Sequence, residues 1–162
     1  MGDRRVELRL LSEENLTELL DAAVSDAGPD EVMPPVPGPP GWTEGRRRAF
    51  CDFHRSRSIG TGEPVETTYV ITLDDRVIGA ARLEPSGDSV VMGVWIGRSR
   101  RGRGIGRLVT ADLLALARRT GAGTITASTT PGNAAAQQLL RGIGATLTIT
   151  DDAVDAVMDA PH

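Results

Sequence analysis

Residues 90–107 carry the strongest chemical signal in the chain. Val90-Val91-Met92-Gly93-Val94-Trp95-Ile96 reads as a strand, Gly97-Arg98-Ser99-Arg100 leaves it, and Arg101-Gly102-Arg103-Gly104-Ile105-Gly106-Arg107 opens a helix. The first N–H groups of a helix have no partner within the helix, and its dipole turns them into an anion site. Glycines 102, 104 and 106 let backbone amides approach phosphate oxygens with no Cβ in the way. Arg98, Arg100, Arg101, Arg103 and Arg107 add attraction and charge-assisted bonds. The chemistry expected here is capture of a phosphate-bearing ligand beside a strand end.

Proton transfer needs other residues. Glu66, Glu84, Asp88 and His54 are the candidate general bases. Glu84 and Asp88 flank a turn, where a carboxylate is more often an ordinary hairpin charge than a base. His54 has an intrinsic pKa in the useful range, but a lone helix histidine is more often a half-exposed packing residue. Cys51 stands three residues before His54, on the same helical face. It reads as a buried, inert thiol, because small hydrophobic packing is the usual role of a free cysteine. No metal is expected.

Other glycine-rich motifs fit the loop less well. A disordered arginine-glycine segment would not be followed at once by a periodic apolar helix. A dinucleotide-binding loop would need glycine where Arg107 stands, and the strands before it look antiparallel. A P-loop needs lysine, and all 18 basic residues are arginine.

Arg101-Gly102-Arg103-Gly104-Ile105-Gly106 resembles the Arg/Gln-x-x-Gly-x-Gly/Ala motif of the GCN5-related N-acetyltransferases, the GNAT superfamily. Asn133-Ala134-Ala135-Ala136-Gln137-Gln138-Leu139-Leu140-Arg141-Gly142-Ile143-Gly144-Ala145 resembles the second motif of that family, Asn-x-x-Ala-x-x-Leu-Tyr-x-x-x-Gly-Phe. The resemblance implies acetyl-CoA as co-substrate. The strand backbone at Val94, Trp95 and Ile96 would pair with pantetheine and polarise the thioester carbonyl. The amides from Arg101 to Arg107 would hold the pyrophosphate. Asn133 would contact the pantetheine arm or start the second helix beside it. The implied reaction is direct attack of a neutral amine on the thioester.

Two positions depart from the family pattern. Leu140 stands where a tyrosine often protonates the departing thiolate, and Val91 stands at about the place of a frequent glutamate. The only tyrosine, Tyr69, lies on an earlier strand.

The elements that must position these residues follow from periodicity. Ser12 caps a helix with Leu16, Leu19, Leu20, Ala23 and Val24 at helical spacing. Residues 29–42, with prolines at 29, 34, 35, 37, 39 and 40, read as a stiff extended loop that excludes helix. Thr43 caps a second helix to about Arg57, with Phe50 and Phe53 on its apolar side. Thr67 to Leu73, Val77 to Leu83 and Val90 to Ile96 read as an antiparallel meander. Helices over Gly104–Arg119 and Asn133–Ile143 bracket a strand at Thr124–Ser128. Thr146–Ile149 and Ala153–Met158 can pair around Asp151-Asp152. The expected fold is α/β (α+β). It is a GNAT-like mixed, mostly antiparallel sheet of about six to seven strands, flanked by helices on both faces, in one domain over 1–162.

Composition bounds the function. The chain has 162 residues, enough for one core, and its single cysteine excludes a disulfide scaffold. No apolar run approaches a membrane span. The start, Met1-Gly2-Asp3-Arg4-Arg5, lacks a signal-peptide pattern, so a cytoplasmic protein is expected. The five arginines of 98–107 form one anion-seeking patch on an otherwise acidic chain of formal charge −4. Three percent aromatic residues and no wide basic face disfavour nucleic acid.

Asp26, Asp30 and Glu31 precede the proline loop, where the family builds its acceptor site, and Trp42 closes that loop. Carboxylates there would attract a cationic acceptor, though the same acids also serve solubility. The expected function is N-acetylation of a small cationic amine, with an aminoglycoside-type antibiotic as the leading class. A protein N-terminal or lysine acetyltransferase and a non-catalytic acyl-CoA sensor are the alternatives. The expected partners are the small-molecule amine and a second copy of the chain in a homodimer, with no nucleic acid and no membrane.

Overall fold

A computed structural model describes residues 5–159. The Met1-to-Arg4 start and residues 160–162, both ends of the single domain expected over 1–162, lie outside them. The described elements are strand β1 (Val6–Leu10), helices α1 (Glu13–Asp26), α2 (Pro29–Val32) and α3 (Glu44–His54), and strands β2 (Thr67–Leu73), β3 (Arg76–Ser86) and β4 (Ser89–Ile96). A 3-10 turn (Arg98–Arg100), helix α4 (Ile105–Arg119), strand β5 (Thr124–Thr129), helix α5 (Ala134–Gly142) and strands β6 (Thr146–Ile149) and β7 (Val154–Asp159) follow. A π-helical turn, Arg55–Ile59, extends α3.

All seven strands form one sheet in the order β1-β2-β3-β4-β5-β7-β6. Every pairing is antiparallel except β4 with β5, which α4 connects. Alternation along the strands sends side chains to both faces, and each face has its own core. Val70 and Ala80 pack with Leu16, Leu19 and Phe50 under α1 and α3. Ile71, Leu83, Val90 and Ile125 pack with Val109 and Leu113 of α4. Fully burying such a side chain contributes about 1.5–3 kcal/mol.

Three local features depart from the sequence reading. Val6 to Leu10, to which no element was assigned, forms an edge strand against β2. The proline loop is not wholly extended: Pro29–Val32 makes one helical turn. Pro29 sits at its start, where a missing N–H costs nothing and the ring presets φ. The Arg55–Ile59 turn was not separated from α3. Among the described residues, no helix is long and apolar enough to cross a membrane.

Candidate active site

Gly97 donates its N–H to the Ile78 carbonyl at 2.9 Å. That bond sets the alternation along β3 and β4: Trp95, Gly93 and Val91 exchange hydrogen bonds with β3, while Val94 and Ile96 turn their backbone groups the other way. Pro85, which has no N–H, falls opposite Val90 in a non-bonded pair, as this register requires. On the far side, β5 stays with β4 only from Ser89 to Val91, and then keeps to β7 as far as Thr129. The sheet splits there. The Val94 N–H and carbonyl and the Ile96 N–H face the gap without a strand partner among the described residues. Of the three residues expected to expose their backbone, Trp95 instead spends its groups on β3.

The gap leads into the arginine-glycine loop. Gly102 and Gly104 have φ of 76° and 81°, a region that favours glycine, and Gly104 is the N-cap of α4 without any side-chain cap. Among the described residues, none takes a hydrogen bond from the N–H groups of Gly102 to Arg107. Ile105 is 1% exposed and pins the start of α4 to the core. Open amides, the helix dipole and empty space beyond both glycines make a cradle for a diphosphate. The residues present therefore fit the coenzyme that the motif implies.

Asn133 is the N-cap of α5, and its Oδ1 accepts the Ala136 N–H at 3.1 Å. Leu140 lies in the α4-side core, 6% exposed.

A cavity of about 480 Å³ opens on the α1–α3 face. Trp95 and Val94 floor it, Ser128 stands across the gap, and Asp30 and Glu31 stand at α2. One wall continues into the proline loop. Prolines leave carbonyls without local N–H partners, and the buried Arg46 supplies the donors. Its guanidinium bonds the carbonyls of Gly41 at 2.8 Å, Val36 at 2.9 Å and Gly38 at 3.2 Å, and also that of Pro39. Nothing in the sequence reading singled out Arg46.

The candidate bases fall in three places. Asp88 sits in the β3–β4 turn, at the end of β4 remote from the cavity. Glu66 and Glu84 join Arg57 and Arg82 in a charge network beside the cavity. Arg57 donates to Glu66 and Glu84 at 2.5 Å each, Arg82 donates to Glu84 at 2.8 Å, and Thr68 donates to the second Glu66 oxygen at 2.7 Å. Hydrogen bonding to Glu66 holds the Arg57 guanidinium above its usual pKa. His54 borders the cavity but is 4% exposed, and among the described residues neither buried ring nitrogen finds a hydrogen-bond partner. Burial pushes its pKa down to about 4, with Glu66 opposing and Arg57 adding to the shift. It is a neutral core ring, not the half-exposed residue of the sequence reading. Burial likewise raises the Cys51 thiol, which favours the inert form.

The acceptor-side residues also separate. Asp30 borders the cavity and has no ion pair or hydrogen bond among the described residues. Trp42 does not line it: its indole donates to the Ala27 carbonyl at 2.9 Å and meets Phe50 edge-on. Asp26 faces the β4–α4 turn instead, where it accepts from the Ser99 N–H at 3.0 Å and the Ser99 hydroxyl at 2.6 Å. Glu31 borders the cavity yet pairs with Arg98 at 2.7 Å and Arg101 at 3.0 Å.

A profile of the acetyltransferase (GNAT) family matches residues 29–145. No curated protein matches the chain. Among solved structures, mutant forms of the spermidine/spermine N-acetyltransferase of Vibrio cholerae align at a TM-score of 0.69 with 15% identity, over 96% of this chain and 94% of that one. The ribosomal-protein-S18-alanine N-acetyltransferase of Escherichia coli aligns at 0.65 with 14% identity, over 98% and 96%. An N-acetyltransferase of Thermoplasma acidophilum in complex with coenzyme A aligns at 0.66 with 13% identity, over 96% and 99%. At these identities the structures share a fold. The profile match covers most of the chain and takes in the split strand, the glycine loop and α5, so the chain belongs to the GNAT acetyltransferase family.

Proposed function

We propose that the protein transfers the acetyl group of acetyl-CoA to an amine of a small cationic molecule. The observation that carries this reading is the cavity itself. It ends at the open Val94 backbone, is bordered by Met33 and Pro34, where the loop that Arg46 ties begins, and presents Asp30 as a carboxylate with no basic partner among the described residues. A fixed wall suits a compact acceptor better than a long peptide. A free carboxylate suits an ammonium group.

The donor lies along the gap. The open backbone groups of Val94 and Ile96 pair with the pantetheine arm and orient the thioester, whose oxygen needs a preorganised N–H as negative charge develops. The amides of Gly102 to Arg107 hold the diphosphate, with the Arg101 and Arg103 side chains beside them. Trp95 floors the acceptor side, and Asn133 sets α5 next to the arm by capping it. The acceptor ammonium docks at Asp30 and loses its proton to solvent in the open cavity. Glu66 and His54 line the wall and Glu84 stays bound to Arg57 and Arg82, so that none of the three takes that proton. Leu140 has no proton to give, so the thiolate leaves without a side-chain acid.

Acetyl-CoA-dependent thiol release tests this reading. Purified protein is assayed against pooled aminoglycosides and polyamines, and separately against basic and N-terminal peptides. Release with the small cationic pool alone is expected. Release with peptides alone would replace the reading with a protein acetyltransferase. Silence with both, while acetyl-CoA still raises the melting temperature, would leave an acyl-CoA sensor.

A further inference from the structure

Two carboxylates from the acceptor side grip the turn that begins the glycine loop. Asp26 is the last residue of α1, an end where a helix disfavours negative charge by about 0.3–1 kcal/mol. Its partners explain its presence there. Both carboxylate oxygens receive the Ser99 N–H, at 3.0 and 3.2 Å, and one also receives the Ser99 hydroxyl. Gly97 lies so close that a Cβ there would stand 2.3 Å from Asp26 Oδ2. Five residues along the chain, Glu31 accepts the Gly28 N–H and bridges Arg98 and Arg101. Burial alone would raise the Glu31 carboxyl, but Gly28, Arg101 and Arg98 together hold it below the usual carboxylate range. Arg101 uses its Nε to close onto the Ile96 carbonyl at 2.9 Å, where the open edge of β4 ends.

We infer that Asp26 and Glu31 are positioning residues for the coenzyme, holding the turn from Gly97 to Arg101 so that the amides beyond it stay aimed at the diphosphate; this rests on the donor site proposed above. The turn has few bonds of its own: Gly97 N–H to Ile78, Arg100 N–H to Gly97 and Arg101 N–H to Arg98. The remaining hold comes from outside, from α1 and α2. Glu31 and Asp30 of α2 also border the acceptor cavity. One short helix therefore touches both sites, and neither Asp26 nor Glu31 touches the acceptor in this role.

Calorimetric titration with coenzyme A tests it, using the wild type, D26N, E31Q, S99A, the double variant D26N/S99A, and E13Q as a control. Glu13 pairs with Arg55 far from the loop. D26N and E31Q are expected to bind coenzyme A about tenfold more weakly, the equivalent of about 1.4 kcal/mol. E13Q is expected to bind as the wild type does. The double variant is expected to fall short of the sum of the two single losses, because both substitutions act on the same Asp26–Ser99 contact. Gly97→Ala, which forces Asp26 away from its side of the turn, is expected to give the same loss. Affinities within twofold of the wild type for both D26N and E31Q would overturn the inference while leaving the loop assignment standing. A wild type that does not bind coenzyme A would overturn both.

Discussion

The His54 ring meets Phe50 and Phe53 edge-on, with centroids 4.7 and 5.3 Å away, and a pKa near 4 keeps it neutral in the folded chain. An unfolded histidine titrates near 6.5. Between these values the unfolded chain binds the extra proton, so stability must fall as pH drops from about 6.5 to about 4, by up to roughly 3 kcal/mol. His54→Phe keeps the ring packing and removes the titration. Denaturant unfolding at pH 7 and pH 4.5 is expected to show a larger acid loss in the wild type than in this variant. Equal losses would reject a buried neutral imidazole. Gly104 allows a second test at this scale. Its φ of 81° strains any other residue by about 1–2 kcal/mol, and no atom lies within 4 Å of a Cβ placed there. Gly87 has a φ of 61° in the β3–β4 turn and equally open space. Gly104→Val and Gly87→Val should therefore lose similar stability, but only Gly104→Val should weaken acetyl-CoA binding. Equal affinities would remove the loop from the donor site.

At the scale of elements, the proline loop and α5 each depend on one side chain. Arg46→Leu strips the donors from carbonyls that no proline N–H can serve. It should cost at least about 3 kcal/mol, since hydrogen bonds to charged groups contribute about 1.5–3 kcal/mol each. Equilibrium unfolding measures it, and a loss under 1 kcal/mol would mean the loop holds itself. Asn133→Ala removes a helix cap and should cost about 1 kcal/mol by the same measurement. Helices α1, α3, α4 and α5, the meander and the β6–β7 pair were legible because their apolar residues repeat at the period of each element, while the single turn of α2 falls in a stretch whose prolines read as extended. β1 was not read, though Val6, Leu8 and Leu10 alternate with Glu7 and Arg9; a strand that short is settled by its pairing with β2. The placement of β7 between β5 and β6, and the split between β4 and β5, come from long-range pairing that no local pattern encodes. The motif residues were legible from glycine spacing. Arg46, Ser99 and the Arg57 network were not, because ion pairs and carbonyl caps form between segments distant in sequence. The same reason turned Asp26 and Trp42 away from the cavity: one found Ser99, the other Ala27 and Phe50.

Over the whole molecule, the five-arginine patch is smaller than the sequence implies. Glu31 neutralises Arg98 and Arg101, and among the described residues Arg100, Arg103 and Arg107 have no ion-pair partner. The acidic body around them should repel a diphosphate at long range, so binding must rest on the amide cradle and the few free guanidiniums nearby. A ligand that binds only the folded chain stabilises it by about 2.7 kcal/mol at a hundred times its dissociation constant. For a domain of this size each kcal/mol moves the melting temperature by about 2–4 °C, so saturating coenzyme A should raise it by about 5–10 °C. Salt screens exposed charges strongly at 1 M and leaves backbone amides in place. The shift, measured at equal saturation, should therefore shrink only partly between 50 mM and 1 M salt. Complete loss of the shift at high salt would mean that the arginines, and not the open N–H groups of Gly102 to Arg107, hold the ligand.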